Sequence, residues 1–175
     1  IVVPVELART RGPRTENATE LPERRQAFLL EEGAFGGAKV FVVDDDFRNV
    51  FAMKALLERG GATVTFAESG SDAVAMLTDR PPVDIVLMDI MMPGMDGYAT
   101  IRAIRKLEHC KDLPIVAVTG KVMAGERQRC IDAGANDYVP KPVDTGELVA
   151  AISPWLPTLV AAVKPWKPEI GKSPR

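Results

Sequence analysis

Several side chains that could carry out chemistry follow apolar runs in this sequence, at the points where the strands of a sheet would end. They are Asp44, Asp45, Asp46, Asp89, Thr119 and Lys141. In an open α/β sheet, ligands bind outside the carboxyl ends of the strands, and side chains at that edge can converge on one pocket. The pattern therefore predicts one site that combines several carboxylates with a hydroxyl and an ammonium group.

Each of these groups has a plainer interpretation when it is taken alone. A single carboxylate such as Asp89 most often caps a turn, and the run Asp44-Asp45-Asp46 is typical of a solvated loop. Carboxylates gathered in one place, however, repel by about 4 kcal/mol per pair at about 4 Å and an effective dielectric constant of about 20. A fold that gathers them needs a compensating cation, and hard oxygen ligands in this number suit Mg²⁺.

A carboxylate, a metal ion, a hydroxyl and an ammonium group together form a site for phosphoryl transfer, because that chemistry depends mainly on positioning and on charge neutralisation. A carboxylate can also be the nucleophile and become an aspartyl phosphate. We therefore consider both Asp89 and Asp44 as carriers of the phosphoryl group.

The composition is that of a globular domain and argues against a protein that binds nucleic acid or a membrane. The 175 residues are 46% hydrophobic and 26% charged, with a net charge of −2, which indicates no nucleic-acid or membrane surface. No apolar run reaches the roughly 18 to 20 residues that span a bilayer, and the first residues lack the features of a signal peptide. We expect a cytoplasmic location, with Cys110 and Cys130 reduced and half-buried in helices.

Strand and helix patterns that could position these residues alternate along the middle of the chain. Strands are predicted at residues 40–43, 63–66, 85–88, 115–118 and 137–139, and helices at 47–59, 71–79, 98–107, 124–133 and 145–155. The alternation predicts the α/β class, as a flavodoxin-like (βα)5 three-layer sandwich around a parallel five-stranded sheet of order 2-1-3-4-5. In the first helix, an apolar stripe is formed by Phe47, Val50, Phe51, Ala55 and Leu57.

Composition divides the chain into three segments. Residues 1–37 mix Pro, Gly, Arg and Glu without periodicity, and we interpret them as a linker or N-terminal arm with one short helix at 21–32 and a hinge at Gly36-Gly37. Residues 38–156 form the predicted folded domain. Residues 157–175 form a Pro-rich basic tail that we expect to be disordered. Because the first residue is not Met, we interpret the chain as a fragment or a processed product.

The motifs at the strand ends, and the spacing between them, resemble a known family. The stretches are Val40-Phe41-Val42-Val43-Asp44-Asp45-Asp46, Met88-Asp89 through Pro93-Gly94-Met95-Asp96-Gly97, Val118-Thr119-Gly120 and Asp137-Tyr138-Val139-Pro140-Lys141-Pro142. Asp45 and Asp89 are 44 residues apart, Asp89 and Thr119 are 30 apart, and Thr119 and Lys141 are 22 apart. From Lys39 to Leu156 the chain resembles the receiver domain of two-component response regulators, most of all the C-terminal receivers of bacterial hybrid sensor histidine kinases.

This resemblance implies a chemical role for each strand end. Asp89 would be the phosphoacceptor, Lys141 would pair with the phosphoryl group, and Thr119 would donate a hydrogen bond to it. Tyr138 is similar to the switch aromatic of the family, and Lys141-Pro142 is similar to its cis peptide. Such a domain takes a phosphoryl group from phosphohistidine and changes its partner contacts, without being a turnover enzyme itself.

The resemblance also implies a metal site. Asp44 and Asp45 correspond to the acidic pair of the family. Mg²⁺ would be held among Asp44, Asp45 and Asp89, with the backbone carbonyl of Met91 as a further ligand.

The phosphoryl donor is expected to lie in another domain. His109, the one histidine of the chain, is not in a phosphorylation motif, and we expect it to face solvent. The implied partners are a histidine kinase core, a histidine phosphotransfer protein, or both, and the parent chain would be a histidine kinase. We expect this segment to contact neither nucleic acid nor membrane.

Other functions fit parts of the pattern. The domain could be a stand-alone single-domain response regulator, or a degenerate receiver that only binds partners. The run Asp44-Asp45-Asp46 also superficially fits the Asp-x-Asp signature of haloacid-dehalogenase-like phosphatases, with Asp44 as the nucleophile. The threonine expected two residues after the second aspartate is Arg48 here.

Overall fold

The computed structural model describes residues 33–121 and 123–156. These residues form five strands, which are β1 (Lys39–Val43), β2 (Thr63–Ala67), β3 (Ile85–Asp89), β4 (Ile115–Thr119) and β5 (Asp137–Pro140). The α-helices that alternate with them are α1 (Phe47–Arg59), α2 (Gly70–Thr78), α3 (Gly97–Arg105), α4 (Glu126–Ala133) and α5 (Thr145–Ile152). Short 3-10 helices lie at Glu108–Cys110 and Ser153–Trp155.

The strands form one parallel sheet in the order β2-β1-β3-β4-β5. This order confirms the predicted flavodoxin-like (βα)5 fold. Each strand runs in the same direction because a helix carries the chain back across the sheet before the next strand begins. Val43 of β1 pairs with Met88 of β3, so the residues that follow them, Asp44 and Asp89, lie at the same edge of the sheet.

Apolar side chains cover both faces of the sheet, because successive residues of a strand point to opposite sides. On one face, Val42 packs in a core that includes Leu148 of α5. On the other face, Phe41 packs in a core that includes Met88 and Ile101 of α3. All residues of β3 and β4 are buried, as expected for central strands that helices cover on both sides.

The apolar stripe predicted for α1 is wrong in part. The buried residues of this helix are Val50, Met53 and Leu57, which share one face at a spacing of three and four residues. Phe47 and Phe51 lie on a different face and are 62% and 64% exposed. Periodicity alone did not show which of two neighbouring apolar stripes the sheet covers.

The packed unit includes residues before position 38. Phe35 is completely buried and Ala34 nearly so, in the same core as Leu57. The N–H of Phe35 donates to the carbonyl of Gly60 at 2.8 Å, and a Cβ at Gly60 would lie only 2.1 Å from the Phe35 ring. The hinge predicted at Gly36-Gly37 is therefore a turn that follows a buried anchor. The predicted helix at 21–32 and the tail at 157–175 lie outside the described residues.

The helix boundaries follow local chemistry. Side chains of Asp46, Ser69, Asp96 and Asp144 accept hydrogen bonds from the first turns of α1, α2, α3 and α5. Helix α4 begins two residues later than predicted, after Gly125, which has a left-handed φ of +86°. Helix α5 ends at Ile152, and a 3-10 turn completes the segment that we predicted to reach residue 155.

Both cysteines are more deeply buried than predicted. Cys110 and Cys130 are unpaired and have almost no exposed surface. Burial, with a further contribution from Glu126, raises the pKa of the Cys130 thiol to about 11, which makes it a packing residue rather than a nucleophile. Over residues 33–121 and 123–156, no helix combines the length and the apolar character needed to cross a bilayer.

Candidate functional site

Three carboxylates meet at the carboxyl edge of the sheet. Asp44 and Asp45 follow β1, and Asp89 is the last residue of β3. One oxygen atom from each of the three lies within 4.8 Å of the others. Asp44 and Asp89 are buried, whereas Asp45 is exposed, so the cluster is open to solvent on one side. This donor set fits a hard divalent cation such as Mg²⁺, which prefers carboxylate oxygens and retains several waters.

A lysine from the other side of the sheet edge neutralises part of this charge. The Nζ atom of Lys141 lies 2.8 Å from Oδ2 of Asp44 and 3.1 Å from Oδ1 of Asp89. The Lys141-Pro142 peptide is cis, as predicted. The backbone N–H of Lys141 donates to the carbonyl of Thr119 at 2.7 Å, which fixes the position of this residue at the end of β5. The ammonium therefore reaches the acid cluster from a fixed starting point.

The pKa values of the two central charged groups, Asp89 and Lys141, are both raised. Burial raises the pKa of the Asp89 carboxyl above its ordinary value; the ammonium of Lys141 acts against this rise, and the charge of Asp44 adds to it. For Lys141, burial lowers the pKa, but the hydrogen bond to Asp44 and the charges of both acids outweigh burial and raise it. Lys141 thus stays charged at neutral pH, directly beside a buried carboxylate. A pair of this kind in a cleft is typical of a reactive site.

Within the acidic run Asp44-Asp45-Asp46, Asp44 and Asp46 have different roles. The Oδ1 atom of Asp44 accepts hydrogen bonds from the Asp46 N–H at 2.8 Å and from Nδ2 of Asn49 at 3.3 Å, so Asp44 faces inward. Asp46 instead caps α1, and its carboxylate binds the side chain of Arg48 at 2.6 Å. These hydrogen bonds with Arg48 lower the pKa of Asp46 to about 2. Asp46 is therefore a helix cap, and not a member of the acid cluster.

The turn after Asp89 shapes one wall of the site. The backbone N–H of Met91 donates to Oδ1 of Asp89 at 3.2 Å, while the Met91 side chain is half exposed. Farther along, the Gly97 N–H donates to the carbonyl of Ile90 at 3.0 Å. A Cβ at Gly97 would lie 2.3 Å from the carbonyl oxygen of Asp89 and 2.5 Å from Cα of Ile90. This close backbone approach requires glycine.

Thr119 and Tyr138 lie on the strands next to the acid cluster. Thr119 is buried at the end of β4, and its hydroxyl oxygen accepts a hydrogen bond from the Lys121 N–H at 3.1 Å. Since a hydroxyl donates as well as accepts, its proton remains available for a ligand. Tyr138 is half-buried in β5, where it pairs with Ala117. Among the described hydrogen bonds, neither side chain bonds to Asp89.

Comparison with known proteins agrees with this geometry. Residues 40–153 match the family model described as the response regulator receiver domain. The chain belongs to the response regulator receiver family. The match spans Asp89, Thr119 and Lys141 together, and it leaves the haloacid-dehalogenase-like interpretation of Asp44 without support.

The chain is similar both to part of a sensor histidine kinase and to nearly the whole of a smaller protein, PilH. The sensor histidine kinase GacS of Pseudomonas protegens is 38% identical over 137 residues, which cover 77% of this chain and 15% of the kinase. PilH of Pseudomonas aeruginosa is 36% identical over 116 residues, which cover 66% of this chain and 95% of PilH. The receiver thus matches a small part of the kinase and nearly all of PilH.

A solved receiver structure has the same fold. The receiver domain of sensor histidine kinase PA1611 from Pseudomonas aeruginosa PAO1 is 35% identical, with a TM-score of 0.63. The alignment covers 69% of this chain and 98% of that domain, and that structure has a magnesium ion coordinated in its active-site cleft. Mg²⁺ is therefore a metal of this family, and the carboxylates found here are ligands that suit it.

The sequence did not indicate one polar cluster beside the site. Glu126 at the start of α4 is buried and accepts a hydrogen bond from the hydroxyl of Tyr98 in α3. Glu126 stands in the polar run Glu126-Arg127-Gln128-Arg129, which has the composition of a solvated helix face. No local signal distinguishes the one buried carboxylate in such a run, because its partner lies 28 residues earlier.

Proposed function

We propose that this receiver accepts a phosphoryl group from phosphohistidine onto Asp89 and passes the signal on by changing its partner contacts. The observation that carries the proposal is the contact between Asp89 and Lys141 beside Asp44 and Asp45. Buried carboxylates converge there with a fixed ammonium, which is the arrangement that phosphoryl transfer requires.

The residues divide the chemistry among them. A carboxylate oxygen of Asp89 attacks the phosphorus of the phosphohistidine in line, the P–N bond breaks, and its electron pair remains on the imidazole nitrogen, which takes up a proton. The ammonium of Lys141 neutralises negative charge on the transferred group. Asp44, Asp45, Asp89 and the backbone carbonyl of Met91 would hold Mg²⁺. When it is bound, the ion supplies further charge neutralisation at the phosphoryl oxygens.

Thr119 and Tyr138 would convert the phosphorylated state into a changed surface. The free hydroxyl proton of Thr119 donates to a phosphoryl oxygen, which draws the end of β4 toward Asp89. Tyr138 then moves inward from its half-buried position on β5. The face around α4 and β5 changes with it.

Acetyl phosphate with Mg²⁺ tests the phosphoacceptor directly. We expect one phosphoryl group per chain, located at Asp89 by mass spectrometry after reductive trapping of the acyl phosphate. The Asp89→Asn variant should not be labelled, whereas the control Asp84→Asn, which alters an exposed carboxylate before β3, should be labelled like the wild type. Labelling at Asp44 would overturn the proposal.

Similarity to GacS supports a histidine kinase as the parent protein, with this segment as its receiver. We infer that this segment lies in the cytoplasm. The donor would then be the kinase core, a histidine phosphotransfer protein, or both. Similarity to almost all of PilH supports the second candidate, a stand-alone regulator. Profiling phosphotransfer from purified kinase cores and phosphotransfer proteins distinguishes the two. A kinase-derived receiver exchanges phosphate fastest with a phosphotransfer protein, and a stand-alone regulator accepts it from a separate kinase.

The surface of α1 suits the partner that carries the histidine. Phe47 and Phe51 are exposed, with ring centroids 6.3 Å apart. A groove of about 370 Å³ lies along the same helix and is lined by Asn49, Ala52, Met53, Leu56, Lys141, Pro142 and Val143. Lys141 belongs both to this groove and to the acid cluster, so a helix seated in the groove brings its phosphohistidine to Asp89. We infer that this groove receives the histidine-bearing helix of the donor.

Two phosphoryl donors of different size test this docking surface. In Phe51→Ala, transfer from a phosphorylated histidine phosphotransfer protein should slow by about tenfold, because an exposed aromatic anchor is lost. Phosphorylation by acetyl phosphate should be unchanged, since the small donor does not use the groove. Phe66→Ala, which removes a partly exposed ring from the edge strand β2, is the control. Equal slowing with both donors would contradict the assignment.

A further inference from the structure

A polar cluster that is buried except for its arginine joins α3 to α4 at the side of the site. The hydroxyl of Tyr98 donates to Oε1 of Glu126, which is only 3% exposed. Arg129 completes the cluster: its guanidinium carbon lies 5.0 Å from the centre of the Tyr98 ring, and Nη1 lies 3.7 Å from Oε2 of Glu126. We call Tyr98, Glu126 and Arg129 the α3–α4 latch.

The latch connects the two chain segments that leave the acid cluster. Tyr98 follows Gly97, at the end of the turn that starts at Asp89. Glu126 is the first residue of α4, seven positions after Thr119 at the end of β4. The backbone N–H of Lys121 donates to the Thr119 hydroxyl at 3.1 Å, so a displacement of Thr119 also displaces Lys121, which precedes Glu126 by five positions.

Helix α4 depends on this contact for its position. Within the described residues, its buried positions are Glu126, Cys130 and Ala133, and its start at Gly125 lacks a capping side chain. A buried carboxylate is costly unless it is hydrogen-bonded and paired, so Glu126 holds α4 where Tyr98 of α3 can reach it. Arg129 pairs with Glu126 from within α4, three residues later. Burial, together with the hydrogen bond to Glu126, raises the pKa of the Tyr98 hydroxyl far above its ordinary value, which keeps it a donor.

We propose that the α3–α4 latch sets the balance between the resting and the switched arrangement of this receiver. The proposal rests on the phosphoacceptor function of Asp89. The latch is closed in the structure in which Lys141 contacts Asp89 directly, at 3.1 Å. When Thr119 and Lys121 are drawn toward a phosphoryl group, Glu126 moves away from Tyr98, and the latch opens. Tyr98, Glu126 and Arg129 are thus positioning residues that oppose the switch.

Because of thermodynamic linkage, the latch predicts a change in affinity for a phosphoryl analogue that a purely structural role does not predict. If the latch stabilises the resting arrangement, weakening it raises the population of the switched arrangement before any ligand binds. Affinity for a phosphoryl analogue must then increase, although the mutation lies outside the acid cluster. A residue that only stabilises the fold would lower the stability and leave that affinity unchanged.

The experiment measures binding of beryllofluoride with Mg²⁺ to the full chain, together with the NMR amide shifts of α4. In Tyr98→Phe, which removes only the hydroxyl, we expect about fivefold tighter binding, the lower end of typical allosteric coupling. In the absence of beryllofluoride, the α4 amide signals should move toward their positions in the beryllofluoride complex. Glu126→Gln keeps the acceptor and the volume but loses the charge, so it should cause a smaller change in the same direction.

The matched control is Thr100→Val, because Thr100 is a fully buried residue of the same helix whose hydroxyl donates to the Asp96 carbonyl at 2.7 Å, away from α4. It should lower the stability without changing the affinity for beryllofluoride. Equal affinities for Tyr98→Phe and wild type, or equal effects of Tyr98→Phe and Thr100→Val, would overturn the latch. A wild-type chain that binds no beryllofluoride would instead overturn the phosphoacceptor function.

Discussion

The Nζ atom of Lys141 lies 2.8 Å from Oδ2 of Asp44, although 97 positions separate the two residues in the chain. Each residue reaches the other from the end of a strand, and β3 and β4 lie between those strands in the sheet. The same ammonium lies 3.1 Å from Asp89. One lysine therefore balances two buried carboxylates, and both stability and chemistry depend on it.

Removing Lys141 should destabilise the protein and abolish phosphorylation of Asp89 by acetyl phosphate. In Lys141→Ala, Asp44 and Asp89 remain buried without their cation, and we expect a loss of about 3 kcal/mol in the free energy of unfolding. Urea denaturation measures the loss. The control Lys54→Ala breaks an exposed pair with Glu58 and should cost at most about 0.5 kcal/mol. Similar stabilities for the two variants would contradict the buried ion-pair assignment.

Replacing Asp89 by asparagine should stabilise the metal-free protein at neutral pH. Burial raises the pKa of Asp89 in the folded state, so the folded protein favours the protonated, neutral form. The stabilisation from that neutral form is complete below the unfolded-state value of about 3.8 and is lost as pH rises through the raised folded value. Asparagine stays neutral at every pH and therefore avoids the loss.

Thermal unfolding in EDTA tests this pH dependence. We expect the Tm of Asp89→Asn to exceed that of the wild type by a few degrees at neutral pH, and the difference to shrink as the pH falls below the ordinary pKa of an aspartate. The exposed Asp84 supplies the control, since Asp84→Asn should not show a gain that disappears on acidification. A lower Tm for Asp89→Asn at neutral pH would show that its pairing with Lys141 outweighs burial.

The turn after Asp89 should not accept a side chain at Gly97. In Gly97→Ala, the new Cβ would lie 2.3 Å from the Asp89 carbonyl oxygen, so the backbone must shift and carry Asp89, the proposed phosphoacceptor, with it. We expect phosphorylation by acetyl phosphate to slow by at least tenfold, since displacement of a reacting group by about 1 Å can cost about 100-fold in rate. Gly120→Ala is the matched control, because its Cβ would meet no described heavy atom within 4 Å. Rates within twofold of each other would contradict this reading of the turn.

Arg105 should be the arginine of α3 on which stability depends. Its guanidinium donates to the carbonyls of Gly134, Cys110 and Leu113 and to Oδ1 of Asn136, at 2.7 to 2.9 Å. Arg105→Met keeps the apolar stem but removes the donor from the carbonyls of Gly134 and Leu113, so we expect a loss of about 2 to 3 kcal/mol. Arg102→Met, on an exposed position of the same helix, should change stability by less than about 0.5 kcal/mol. Chemical denaturation of both variants makes the comparison, and equal losses would rule out the network.

Local sequence determined the elements and the chemical groups of the site. Continuous apolar runs specified the central strands, because both faces of a parallel sheet are buried. Asp44, Asp89, Thr119 and Lys141 could be assigned to one edge, since every strand of such a sheet ends on the same side. The spacing between these residues was enough to indicate the receiver family, which the family match confirmed.

Tertiary packing decided which side chains of those elements are buried. In α1 the sheet covers Val50 and leaves Phe51 exposed, although both are apolar and adjacent, because the helix has one rotation about its axis that fits the core. Phe35 fills the space over Gly60 and turns an apparent linker residue into part of the core. Periodicity within α1 could not choose between its two apolar stripes, and the segment around Phe35 has no periodic signal.

The buried polar contacts depended most completely on the fold. Glu126 is one charge among several in a polar helix, and only the approach of α3 gives it Tyr98 as a donor. Asp46 differs, because its partner Arg48 lies only two positions later and this exposed contact is local. A sequence specifies the residues that can ionise and the strand ends where they stand. The distance and burial that fix their partners and their pKa values arise only when separate segments pack together.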